Sequence, residues 1–208
     1  MRVTSILLKV LMAITGLAWF GFSITHLTAN FLILKGADAF NGYAEGLAKF
    51  GPLLWVAEAG LVLLLLAHVG SAFRVTRMNK VARPQGYVVS QTRGEATLGS
   101  RTMAIGGVIL LAFLIIHVKM FKFGDWSGGN GLHGLVVRSF KNPLIVGGYV
   151  LAMIAFGLHL SHGVASAFQT LGILKPSWRP RLKEIGFFIG WAIAFGFAAL
   201  PIATFFFV

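Results

Sequence analysis

Four of the six histidines lie inside long apolar runs. His26 falls in F-S-I-T-H-L-T-A-N-F-L-I-L, His68 in L-L-L-L-A-H-V-G, His117 in F-L-I-I-H-V-K and His159 in F-G-L-H-L-S-H. An imidazole surrounded by hydrocarbon costs free energy unless something binds it, and its neutral ring is a metal ligand as well as a hydrogen-bond partner. The spacing is regular. His26 and His68 are 42 residues apart, as are His117 and His159, and the second pair lies 91 residues beyond the first. A second echo, A-H-V-G-S-A-F at 67–73 and S-H-G-V-A-S-A-F at 161–168, suggests an old duplication. It aligns His68 with His162 instead, one helical turn from His159.

The elements that must position these rings are membrane spans. Five apolar segments reach the roughly 20 residues that a helix needs to cross a bilayer, at about 8–34, 53–73, 102–121, 143–168 and 186–207. Pro52 and Pro143 stand where a helix can begin, and Pro176 and Pro180 break the link before the fifth span. Pro201, inside that span, predicts a kink or an early end. The first run is too long for a signal-peptide core and no A-x-A site follows it, so it is expected to be retained. The segment between spans two and three carries Arg74, Arg77, Lys80, Arg83, Arg93 and Arg101 against Glu95 alone, and the link before span five carries Lys175, Arg179, Arg181 and Lys183 against Glu184. The positive-inside rule puts these loops and the N-terminus in the cytoplasm and the C-terminus outside. The external stretch D-W-S-G-G-N-G-L-H-G is expected to be a flexible turn with His133 solvated.

Helical rise turns sequence position into depth. His26 lies about 25 Å beyond Lys9, and His117 about 24 Å beyond Arg101, both towards the outer face. His68 is about 9 Å from the cytoplasmic Arg74, and His159 about 24 Å in from Pro143. The rings therefore sort into an outer pair, His26 with His117, and an inner pair, His68 with His159. Two imidazoles at one depth on facing helices are what a six-coordinate haem b requires, the porphyrin filling the other four iron positions. Gly16, Gly21, Gly70, Gly106, Gly107, Gly147, Gly148 and Gly157 offer close backbone approach on the same spans, although ordinary tight packing of membrane helices explains any one of them. For a single intramembrane histidine the plain alternative is an interhelical hydrogen bond; two depth-matched pairs argue against it. Two ligands per level, without nearby carboxylate or thiolate, do not complete a tetrahedral zinc site.

Composition agrees with this class. The 208 residues are 57% hydrophobic and 12% charged, about half the charge usual in a soluble domain. With no cysteine, the chain itself cannot hold a thiolate-ligated iron–sulfur cluster or a disulfide. The net charge of +12 lies mostly between apolar runs, where topology and anionic lipid headgroups explain it without nucleic acid. The expectation is an all-α membrane protein, one domain over 1–208, with five transmembrane helices of which the first four form a haem-binding bundle.

The stretch T-H-L-T-A-N-F-L-I-L-K-G-A-D-A-F-N at 25–41 resembles the first-helix signature of the di-haem cytochrome b membrane anchors of succinate:quinone oxidoreductases and quinol:fumarate reductases. The family's fourth-helix pattern, H-x-S-x-G followed by a W/L-G dipeptide, is matched by His159, Ser161, Gly163, Leu171 and Gly172. That register makes His159 the ligand and leaves His162 as an alternative ligand, a propionate partner or a group that supports the ligand from behind. The resemblance implies a bacterial-type cytoplasmic membrane, two b haems, a separate flavoprotein subunit that oxidises succinate and a separate iron–sulfur subunit. It further implies that the inner haem, on His68 and His159, accepts the electrons, and that the outer haem, on His26 and His117, exchanges them with a quinone, by family usually menaquinone.

Three further positions carry expectations. Glu58, early in the second span, is either a proton acceptor at a quinol site beside the outer haem or a helix-start carboxylate at the headgroups; if it enters hydrocarbon it must be protonated, paired or facing water. Arg74, Arg77 and Arg101 are candidate propionate partners, with cytoplasmic anchoring as the simpler account. The tryptophans mostly stand where interfacial anchors belong, except Trp19, which is deep enough to pack on a porphyrin. Two alternatives stand beside the main reading. One is the cytochrome b subunit of another quinone-linked dehydrogenase, such as a hydrogenase or formate dehydrogenase, which would lack the 25–41 signature. The other is a haem-free transporter relaying protons through its histidines.

Overall fold

A computed structural model describes residues 4–82 and 98–208. Arg83, Arg93 and Glu95, used above for orientation, lie outside the described residues. The described residues are helical and contain no strand. Helix α1 (Ser5–Asn30) begins at Thr4, whose hydroxyl accepts from the Leu7 amide, and tightens into a 3-10 turn at Phe31–Lys35 that Gly36 ends at φ +96°. A short helix α2 (Ala37–Ala48) follows, then α3 (Pro52–Ala82) and α4 (Leu98–Phe121). A second short helix, α5 (Gly131–Phe140), precedes α6 (Pro143–Leu171), and α7 (Arg179–Phe207) completes the chain. Helix α6 has a complete set of end signals. The Asn142 side chain accepts from the Leu144 amide at 2.9 Å, Pro143 occupies the first turn, and Gly172 closes the helix at φ +65°.

Five helices are long and apolar enough to cross a membrane: α1 with its 3-10 extension, α3, α4, α6 and α7 with the turn before it. These are the five spans expected from the sequence. The chain is a multi-pass membrane protein. Hydroxyls inside the spans are satisfied locally: Thr15 donates to the Leu11 carbonyl at 2.7 Å, Ser23 to Trp19 and Thr204 to Leu200, both at 2.8 Å. Hydrocarbon offers them no other partner.

Helix α6 is the hub, with α1, α4 and α7 packed on it, while α3 lies on α1. Helices α4 and α6 run antiparallel, since Gly99 faces His162, Gly106 faces Ala155 and His117 faces Tyr149. Helices α6 and α7 approach through small residues. A Cβ on Gly190 would lie 2.7 Å from the Ser161 nitrogen, and one on Gly157 would lie 2.8 Å from the Trp191 ring. One end of the bundle carries Arg74, Arg77, Arg101, Arg179, Arg181 and Lys183; it is called the basic end below. At the opposite end, α2 packs against α5 and forms a cap.

The cap corrects two expectations. The glycine-rich stretch is not simply a turn, because it opens α5 at Gly131. His133 is buried, at 8% exposure, with its ring edge-on to Phe40. Burial follows from pairing two amphipathic helices: Phe40 of α2, Val136 and Phe140 of α5, Ile33, Tyr149 and Leu200 form one apolar core. Of the two outcomes expected at Pro201, the early end is excluded, because α7 continues to Phe207. Pro201 is fully buried, and Lys141 binds the carbonyls of Thr204 and Phe205 beyond it at 3.2 and 3.1 Å. Among the tryptophans, Trp191 packs into α6 rather than standing at an interface.

Candidate functional site: two histidine pairs in the bundle

The structure brings the four intramembrane histidines together in twos. The ring centres of His26 and His117 are 5.9 Å apart, and those of His68 and His159 are 6.2 Å apart. Among the described residues, no hydrogen bond joins the two rings of either pair, and no three His, Asp or Glu side chains gather into a cluster. Along α6, Tyr149 at one level and His159 at the other are ten residues apart, about 15 Å of helix.

The level near the cap is an aromatic box. Phe22 stacks on His26 at 5.2 Å and 17°, Phe197 lies 5.9 Å from the same ring, and Phe113 and Phe121 flank His117 at 5.6 and 5.5 Å. One polar contact enters it: His117 Nδ1 and the Tyr149 hydroxyl are hydrogen bonded at 3.0 Å. Tyr149 is buried and packs edge-on to Phe113 and Phe140, which ties this level to the cap. No sequence motif marks Tyr149; the only available signal was its level, on the fourth span opposite His117.

The level towards the basic end is held differently. His68 Nδ1 lies 3.0 Å from the Met12 carbonyl and 3.3 Å from the Thr15 hydroxyl. Since Thr15 already donates to Leu11 and Met12, the geometry suits an Nδ1–H donated to the Met12 carbonyl. Gly16 admits the ring, because a Cβ there would lie 3.0 Å from His68 Cε1. His159 Nδ1 is buried without a partner. His162 does not join this pair. It lines a separate cavity with Lys183, on the side of α6 that meets α4 and α7.

Other expected residues fall as follows. Glu58 is paired: Lys122 Nζ donates to its Oε1 at 2.5 Å, with the ammonium 5.0 Å from the centre of the Trp55 ring. Both side chains are about one-third exposed, at 31% and 36%. Arg74, Arg77 and Arg101 are exposed at the basic end. Trp19 packs edge-on to Phe22, and its indole nitrogen is buried without a partner. Asn41, within the A-D-A-F-N stretch, has a role that sequence reasoning did not assign. Its amide donates to the Asn130 carbonyl at 2.8 Å and its oxygen accepts from the His133 amide at 2.9 Å. Asn130 sits in left-handed backbone and supplies no side-chain cap, so α2 caps α5 from outside. In the adjoining loop, the Ser127 hydroxyl and then its amide hold the Asp125 carboxyl below the usual carboxylate range, with Arg138 adding to the effect.

The pairs can be tested as a metal-binding arrangement. A metal ligated by two opposed imidazoles, with bonds of about 2 Å and about 1.1 Å from nitrogen to ring centre, separates the ring centres by roughly 6 Å. Both pairs fit that separation. At His68 and His117 the engaged nitrogen is Nδ1, which leaves Nε2 without that contact and able to bind a metal. A Cβ built on Gly21, Gly70, Gly107, Gly147 or Gly148 meets nothing within 4 Å, so the backbone there does not obstruct a broad flat group.

No protein-family model and no solved structure matches the chain. Among curated proteins it is similar to the succinate dehydrogenase cytochrome b558 subunit of Bacillus subtilis (strain 168), with 25% identity over 171 residues that cover 81% of this chain and 79% of that protein. Five spans and two histidine pairs thus stand in a chain that is similar to a succinate dehydrogenase cytochrome b558 subunit.

Proposed function

We propose that this chain is the cytochrome b membrane anchor of a succinate dehydrogenase or fumarate reductase. His26 and His117 hold one b haem at the cap level, and His68 and His159 hold a second towards the basic end. The carrying observation is the pair of imidazole pairs, each spaced for an iron between two rings, in a chain similar to a cytochrome b558 subunit. Haem bound there supplies a reversible one-electron iron couple at each level.

The protein's own part is orientation and exclusion. Met12 and Tyr149 engage the Nδ1 atoms of His68 and His117, which fixes tautomer and ring plane. The Phe22, Phe113, Phe121 and Phe197 rings keep the cap level apolar, and α2 with α5 closes it against water. Glu58 and Lys122 place a carboxylate and an ammonium at the rim of that end, where a quinone headgroup exchanging electrons also needs protons. The exposed arginines at the basic end suit a cytoplasmic face with anionic lipid and with iron–sulfur and flavoprotein subunits docked beyond it, and by the positive-inside rule they support an N-terminus inside. His162 is left out of ligation.

The test is a haem count by pyridine haemochromogen on the purified complex, with a reduced-minus-oxidised spectrum. Two b haems per chain are expected, with loss of one in His26→Ala and one in His159→Ala, and retention of both in His162→Ala. A colourless wild-type complex would overturn the proposal in favour of a haem-free proton relay. Two haems retained in His159→Ala would overturn the inner ligand assignment.

A further inference from the structure

His162 leads to a second site, distinct from the histidine pairs. Helices α4 and α7 both pack on α6, and between them at the basic end lies a cavity of about 280 Å³. Its position follows from two close approaches at one level of α6. A Cβ on Gly99 would lie 2.7 Å from the Leu158 carbonyl and 3.2 Å from His162 Cβ, while Gly186 and Gly190 press α7 onto Ser161. Both neighbours are thus drawn against the same turn of α6, and the cleft between them widens towards their larger side chains.

The lining divides by chemistry. His162, Gln169 and Lys183 supply polar groups able to donate hydrogen bonds, Ser161 already donates to the Leu158 carbonyl, and Phe187 and Trp191 supply an apolar wall. No carboxylate lines the cavity among the described residues, and Lys183 has no acidic partner among them. Glu184, next in sequence, is exposed and does not line the site. Further positive charge stands close in sequence, at Lys175, Arg179 and Arg181. A cation half withdrawn from water beside aromatic rings calls for an anion, because a neutral ligand would leave its charge unpaired. The cavity also opens where the span ends, so the occupant has a charged head and an apolar body. Basic pockets between helices at a membrane face bind anionic lipid headgroups on this principle.

We propose that this cavity seats the phosphate headgroup of an anionic phospholipid. Lys183 is the counter-charge, His162 and Gln169 are hydrogen-bond donors, and Phe187 with Trp191 lies against the first acyl carbons. The site does not depend on the haem assignment.

Native mass spectrometry of the intact complex in detergent tests this, with titration of dioleoyl-phosphatidylglycerol against dioleoyl-phosphatidylcholine. Wild type is expected to retain one phosphatidylglycerol per copy of this chain in preference to phosphatidylcholine. Lys183→Gln should bind it about fivefold more weakly, the usual effect of one basic residue near the membrane surface. Lys183→Arg should restore binding, and all three proteins should show the same intact mass of the complex and the same Tm, which separates lipid loss from misfolding. Equal retention of phosphatidylglycerol by wild type and Lys183→Gln would overturn the proposal. So would equal retention of the two lipids, or displacement of phosphatidylglycerol by a soluble naphthoquinone, which would make the cavity a quinone site.

Discussion

Tyr149→Phe isolates a single hydrogen bond at the cap level. The tyrosine ring is buried against Phe113 and Phe140, with centroid distances of 4.9 and 5.0 Å, and phenylalanine preserves that packing. Only the hydroxyl 3.0 Å from His117 Nδ1 is removed. If Nε2 binds iron as proposed, Nδ1 would carry the proton and donate to the tyrosine oxygen. This bond shifts electron density towards iron and favours the oxidised state, so its loss raises the midpoint potential. A neutral hydrogen bond contributes about 0.5–1.5 kcal/mol net. For a one-electron couple about 1.4 kcal/mol corresponds to about 59 mV, so the rise should be roughly 20–60 mV if most of that energy distinguishes the two oxidation states. The other histidine pair lies about 15 Å away along α6; there His68 rests on Met12 and Thr15, so a midpoint set at that level should not move.

The assay is a redox titration of the purified complex, followed at the reduced b-haem band and resolved into two one-electron steps. One midpoint should rise while the other holds, with both haems present. Neither midpoint moving by more than about 10 mV, a few tenths of a kcal/mol, would refute Tyr149 as a partner of a ligating histidine. A fall in the shifted midpoint would refute the assigned direction of the hydrogen bond.

Three other substitutions probe separate parts of the structure. Gly16→Val puts branched carbons where even a Cβ is 3.0 Å from His68, so the ring must move; loss of one b haem with the other retained is expected, and full haem content would show that His68 does not need this space. Asn41→Ala removes both bonds that hold the start of α5; it should cost about 1–2 kcal/mol, as loss of a helix cap does, seen as a lower Tm of the complex and faster proteolysis near residue 130, and an unchanged Tm would remove Asn41 from the cap. Glu58→Gln breaks an ion pair whose side chains are about one-third exposed, so stability should change by less than about 1 kcal/mol while quinol turnover falls at unchanged haem content; unchanged turnover would dismiss the proton role.

What was legible in the sequence depended on one-dimensional regularities. Hydropathy and proline placement located the spans, and a fixed helical rise converted histidine numbers into depths. That is why the facing of His26 with His117, and of His68 with His159, could be expected before any coordinate was known. The same arithmetic could have found the Glu58–Lys122 pair, since Glu58 lies six residues into α3 and Lys122 five beyond His117, both near one end. The cap was harder to see. Helices α2 and α5 are 12 and 10 residues long, and neither has a stable reason to fold except the apolar face of the other. The burial of His133 depends on that pairing, so a glycine-rich neighbourhood was a poor guide to its exposure. Rotational phase was also hidden: His159 and His162 are less than one turn apart, yet only the former ring meets His68 while the latter opens into the cavity with Lys183.

The two levels differ in how their histidines are supported, and the difference follows from what lies beyond each. Towards the basic end, the His68 partner is a backbone carbonyl inside α1, which cannot move without unwinding the helix. At the capped end the His117 partner is a side chain, and its hydroxyl shares an aromatic core with Phe140 of α5 and, through that core, with Phe40 of α2. A disturbance of the cap can therefore reach His117 through Tyr149, whereas the Met12–His68 contact has no such connection among the hydrogen bonds of the described residues. The Asn41→Ala variant offers a direct comparison. If loosening α5 shifts the same midpoint as Tyr149→Phe, the cap and the outer histidines act as one unit, and the short helices between the spans are part of the redox site. If only Tm moves, Tyr149 is held by the bundle alone, and α2 and α5 serve as a cover.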